Sequence, residues 1–236
     1  MFTLEMINNE RIKFINYTNF EIPRITKVSY EESDAVELAY ILSEEIDQDG
    51  CIIHVCGKMH NNPVKYQFAS IWHEFTHIFD CILLKDNDNS LAIMQTYSEA
   101  RAKSVELKYL MDCPSNLFNV DFDNKVIITP NGEQTIAKWI NEDLLDCKLS
   151  FRMYDLCRDI NSFNRAIYYF CHYCGYLLLR KRNDANNLLN KQLFLFPDKY
   201  KEDLKNLAKS ILNDNKDKCG EVYINMLLKV KSETSN

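Results

Sequence analysis

The stretch Gln67-Phe68-Ala69-Ser70-Ile71-Trp72-His73-Glu74-Phe75-Thr76-His77-Ile78-Phe79-Asp80-Cys81-Ile82-Leu83-Leu84 decides how this chain is read. Ile71, Phe75, Ile78, Phe79 and Ile82 recur at helical spacing, which predicts a helix with an apolar back. On such a helix His73 and His77, four residues apart, project from one face with Glu74 beside them. The pentapeptide is HExxH, and its spacing has a chemical reason. Two imidazole nitrogens suit one zinc ion, zinc lowers the pKa of a bound water towards about 7, and an adjacent carboxylate takes that water's proton as it attacks a polarised carbonyl. His73 and His77 are therefore candidate metal ligands, and Glu74 is the candidate general base.

Two histidines and a water leave one protein ligand to find. After Lys85-Asp86-Asn87-Asp88-Asn89 a second helix is expected, with Ser90 as N-cap and a run from Leu91 to about Met111. Glu99 lies where a helical hairpin would return a carboxylate to the metal, and the small Ala102 one turn later favours close helix approach. Glu106, two turns beyond Glu99, and Asp80, three residues after His77, compete for the same position. Asp80 has a second reading, as an acceptor for the outer N–H of an imidazole.

HExxH followed by a glutamate on the next helix resembles the gluzincin branch of zinc metallopeptidases. The short Glu99-x-x-Ala102 version is similar to compact intracellular members of the ImmA/IrrE type, found in bacteria and their phages. The resemblance covers roughly Cys51 to Met111. It implies His73, His77 and Glu99 as zinc ligands, Glu74 as base, and hydrolysis of a peptide bond in a specific intracellular protein partner. Larger gluzincins often carry an Asp four residues after the ligand Glu; here that position is Lys103. The segment after His77 lacks the Gly and third His of metzincins.

Composition bounds the setting. Met1-Phe2-Thr3-Leu4-Glu5-Met6 turns polar at once, so no secretory signal is read, and nine cysteines without framework spacing read as reduced thiols. Both point to the cytoplasm. A net charge of −6, spread along the chain, gives no footprint for nucleic acid. The apolar run Ala166 to Leu179 falls short of the ~20 residues of a membrane span and reads as a buried core helix.

With only 5 Gly and 5 Pro, the expected fold is α+β and mainly helical. A minimal zincin-like core over residues 1–113, a small sheet packed on the HExxH helix and the glutamate helix, would be followed by a helical region over 114–236. In the core a hairpin of Thr3–Met6 and Arg11–Phe14 around Asn8-Asn9, a helix from about Glu31 to Ile46 and a strand Cys51–Cys56 are expected. By the resemblance, the edge of that strand would hold an extended peptide. Beyond Pro114 a strand Lys125–Thr129 precedes helices at about Glu133–Cys147, opened by Pro130-Asn131-Gly132, and at Phe151–Arg182, Pro197–Asn213 and Glu221–Val230.

Cys171-His172-Tyr173-Cys174 contains a CxxC without a second pair and reads as buried thiols. His172 and Tyr154 are candidates to stabilise an oxyanion, against packed core residues as the simpler reading. His54 and His60 read as structural or exposed, and Arg101 points away from the metal. Two rival functions stand beside the peptidase. One is a metal-binding regulatory or interaction module without turnover, the other a helical phage-type structural protein with a chance motif. Hydrolysis of a non-peptide amide is a variant within the enzyme class.

Overall fold

The computed structural model describes residues 2–31, 38–47, 49–112 and 122–234. It is an α+β protein, mainly helical, with a three-stranded mixed sheet and a separate two-stranded ribbon. The chain divides into two compact units, one of Met1–Lys85, Val105–Asn116 and Asp121–Ile136, the other of Asp86–Ser104, Leu117–Val120 and Ala137–Asn236. The boundary expected near Pro114 lies outside the described residues.

In the first unit the chain opens with α1 (Leu4–Thr18), not with a hairpin. Thr3 caps it by accepting the Met6 N–H, and Asn19 closes it in the left-handed region. Ile7, Glu10 and Phe14 form its buried stripe at helical spacing. Asn8 is no turn residue: its amide donates to the Ile25 carbonyl and accepts the Ile25 N–H, so it bonds like a strand neighbour to β1 (Ile25–Glu31).

The helix expected over Glu31 to Ile46 is absent among the described residues, 32–37 lying outside them. Glu31 ends β1, Ala39–Tyr40 is the short strand β2, and Ser43–Glu45 is one 3₁₀ turn. β3 (Cys51–Cys56) lies between β1, its parallel neighbour, and β2, its antiparallel one. Being central, it is buried along almost its whole length. Its expected role as a peptide-holding edge is therefore corrected, because both of its sides are paired.

α2 (Val64–Leu83) carries the HExxH motif. Its Ile71, Trp72, Phe75 and Ile78 enter one core with Phe14 of α1 and with Ile25, Ile53 and Val55 of the sheet. The ring of Phe14 meets Trp72 and Phe75 edge-on at 5.5 and 5.4 Å. β4 (Val126–Thr129) and β5 (Gly132–Thr135) form a hairpin through Pro130-Asn131, with Gly132 at φ 95°. Asn-Gly thus closes a turn instead of opening a helix.

The second helix begins at Ser90, not Leu91: α3 (Ser90–Ile93) runs through a π-helical turn, Met94–Ser98, into α4 (Glu99–Leu110). Asn89, not Ser90, holds the N-cap position, and its side chain makes no capping hydrogen bond. Thr96 donates its hydroxyl to the Ala92 carbonyl, competing with the backbone ladder inside the π turn.

The second unit also contains α5 (Ile136–Cys157), α6 (Ile160–Leu177), α7 (Arg182–Leu193), α8 (Asp198–Leu212) and α9 (Lys216–Thr234). The single helix expected over Phe151–Arg182 is two. Arg158 takes the left-handed region at φ 55°, and Asp159 caps α6 by accepting the Asn161 and Ser162 N–H groups. α6 is a core helix, with Phe163, Ile167, Phe170 and Leu177 buried. At Gly175 its backbone comes so close to α4 that an added Cβ would lie 2.5 Å from the Ala100 carbonyl oxygen. Among the described residues no helix is long and apolar enough to cross a membrane.

Candidate metal centre

The apolar back of α2 fixes where its histidines point. With Ile71, Phe75 and Ile78 committed to the core, His73 and His77 share another face, 8% and 7% exposed, with ring centroids 4.8 Å apart at 71°. Glu74 sits between them on the helix and is half-buried. Cys81, two turns further along, has its thiol pushed up to about 11 by burial and then by the charge of Glu74, which puts that carboxylate in electrostatic reach of the same side of α2.

Glu99 is the first residue of α4, where the π turn resolves. One donor atom each from His73, His77 and Glu99 lies within 4.8 Å of the other two; among the described residues this is the group of His, Cys, Asp or Glu side chains so arranged. Tetrahedral zinc with ligand bonds of about 2.0–2.1 Å spaces its donors by roughly 3.3 Å. The donors stand up to 4.8 Å apart, wider than that spacing, and two imidazoles with one carboxylate match zinc's N/O preference. The chemistry of the donor set fits the ion.

Glu106 stands elsewhere. The residue is 4% exposed, and its carboxylate lies 3.2 Å from Nδ1 of His73, an acceptor for that ring nitrogen instead of a member of the three-donor group. Asp80 is buried on α2 one turn beyond His77 and is also outside the group.

Glu99 has a neighbour that sequence reasoning did not connect to it. His172 of α6 places Nε2 at 3.8 Å from Glu99 Oε2, and its Nδ1 at 3.7 Å from Asp143 Oδ2. The Tyr168 ring covers the imidazole at 4.1 Å. Only helical phase relates these residues in sequence, so no motif signals the contact. Tyr154, the other oxyanion candidate, is buried against Phe163 and Tyr200, with its hydroxyl donating to the Val230 carbonyl.

The remaining candidates have other surroundings. His54 is held between Glu31 at 2.8 Å and Glu45 at 2.6 Å and stacks on Tyr40. His60 is exposed beside Phe2 and Tyr30. Arg101 lies over the Tyr97 ring, and burial pulls its guanidinium down to about 10 against the opposing charge of Asp214. Cys171 and Cys174 are buried, and burial drives both thiols well above their usual range.

Comparison of the chain with protein-family models, with curated proteins and with solved structures returns no significant match.

Proposed function

We propose that this chain is a zinc-dependent peptidase of gluzincin-like type, acting in the cytoplasm on a specific protein. The observation that carries the reading is that one donor atom each of His73 and His77 on α2 and Glu99 on α4 lies within 4.8 Å of the other two, with Glu74 next to His73 in the chain.

His73, His77 and Glu99 would hold the ion. Bound zinc would supply Lewis acidity towards the scissile carbonyl and towards water. Glu74 accepts a proton from the attacking water as the new C–O bond forms, and delivers it to the amine nitrogen as the C–N bond breaks.

Metal content by mass spectrometry, on protein purified without an affinity-tag metal, tests the reading. About one zinc per chain is expected in wild type, lost in His73→Ala and weakened in Glu99→Ala. Glu74→Gln should keep the zinc and lose hydrolysis of casein or a peptide library. Wild-type protein that holds no zinc after reconstitution would overturn the proposal. Equal turnover by Glu74→Gln would remove Glu74 from the chemistry.

A further inference from the structure

We propose that Glu106 is the positioning residue of the metal centre: by accepting the Nδ1–H of His73 it fixes that ring's orientation and leaves Nε2 as the metal-binding nitrogen. The inference rests on the zinc-site reading above and assigns a role that no motif in the sequence marks.

Seven residues separate Glu99 from Glu106, close to two full helical turns, so both carboxylates leave α4 on one face. One face of a single helix thus offers one carboxylate to the metal position and a second to an imidazole of the facing helix. Glu106 and His73 are both buried, at 4% and 8% exposure, and Nδ1 and Oε2 are 3.2 Å apart. A carboxylate taken out of water requires a donor, and a ring N–H aimed at it meets that requirement. An imidazole whose Nδ1 carries the hydrogen has its lone pair on Nε2. The hydrogen bond therefore selects one tautomer and one ring orientation before any ion arrives.

Lys103, four residues after Glu99, does not take this part. Its ammonium lies 3.6 Å from the centre of the Trp139 ring, a cation–π contact. The support that larger gluzincins often draw from the fourth residue after the ligand glutamate comes here from the seventh.

Two measurements on Glu106→Ala and Glu106→Gln test the proposal. The first is long-range ¹⁵N–¹H correlation on metal-free protein, with His73→Gln used to assign the signal. Wild type should show His73 as the Nδ1–H tautomer; Glu106→Ala should lose that preference, and Glu106→Gln, whose amide oxygen still accepts, should keep it. The second is zinc affinity by chelator competition. Glu106→Ala should weaken binding about 10–100-fold at unchanged stoichiometry, with Glu106→Gln intermediate. If Glu106→Ala does not fold, the tautomer and affinity of Glu106→Gln decide the matter alone. An Nε2–H tautomer in wild type, or wild-type affinity in both variants, overturns the assignment. Loss of stoichiometric zinc in Glu106→Gln also overturns it, by making Glu106 a ligand. Wild-type protein that binds no zinc but shows the Nδ1–H tautomer fails the zinc-site reading while leaving the hydrogen bond in place.

Discussion

Gly175→Ala should destabilise the protein and weaken zinc binding, although helix propensity alone predicts the opposite. Replacing a mid-helix glycine by alanine normally gains about 1 kcal/mol. At position 175 the new methyl would lie 2.5 Å from the Ala100 carbonyl oxygen, 2.8 Å from Lys103 Cβ and 3.1 Å from the Ser104 nitrogen. A carbon requires about 3.3 Å from a carbonyl oxygen, so α4 and α6 must separate locally by roughly 0.8 Å. Two of the three obstacles are backbone atoms that no rotamer change removes. The overpacking cost therefore belongs at the upper end of its usual range, about 3 kcal/mol, which leaves a net loss of about 2 kcal/mol. For a chain of this length that lowers Tm by roughly 4–8 °C. Ala100 adjoins Glu99, so the displacement reaches the carboxylate proposed as a ligand, and on that reading zinc affinity should drop by roughly tenfold. Differential scanning fluorimetry and chelator competition measure the two effects. Gly57→Ala is the control, because its added methyl meets nothing nearer than the Glu31 carbonyl at 3.7 Å. A Gly175→Ala protein that melts at or above wild type and binds zinc as tightly would refute the packing argument.

Further predictions concern groups outside the metal centre. Burial pulls the His54 imidazole down, but hydrogen bonds and charge from Glu45 and Glu31 outweigh it, so its pKa is raised from 6.5. A raised folded-state pKa contributes stability that is fully present below the unfolded value and is lost as pH rises through the folded one. Tm should accordingly fall as pH rises from 6.5 through the folded-state value, and His54→Gln should flatten the fall; an identical profile in the variant would exclude the clamp. Native thiol labelling and peptide mass spectrometry should find exposed Cys157 modified first, with Cys171 and Cys174 unreacted until unfolding, because burial holds both as thiols. Early labelling of the CxxC would contradict its placement in the core.

What the sequence discloses depends on whether a signal is local. α2 is legible because its apolar spacing and its motif agree, and β3 because Cys51–Cys56 is a short run that is apolar apart from His54. α1 is misread because Asn8-Asn9 resembles a turn, whereas Asn8 spends its amide on the backbone of Ile25, 17 residues away. The break between α5 and α6 carries no glycine or proline; it rests on Arg158 tolerating a positive φ and on the Asp159 cap. At the proposed metal centre the motif supplies His73 and His77 and the resemblance adds Glu99, and one donor atom of each lies within 4.8 Å of the other two. The motif does not say which nearby carboxylate faces His73, or that His172 faces Glu99. Those pairings depend on the rotation of one helix against another, which a one-dimensional pattern does not encode.

The π turn just before Glu99 has a consequence for how such a site arises. Accommodating one more residue than an α-turn rotates the upstream part of the helix by about 100° against the downstream part. The packing of Ile93 and the aim of Glu99 are thereby decoupled within a single unbroken helix. A carboxylate can then swing into or out of a shared donor group through the gain or loss of one codon in the Met94–Ser98 stretch, with no exchange of the glutamate itself. Among homologues, length variation at this turn would report on the centre more directly than the identity of the residue at position 99.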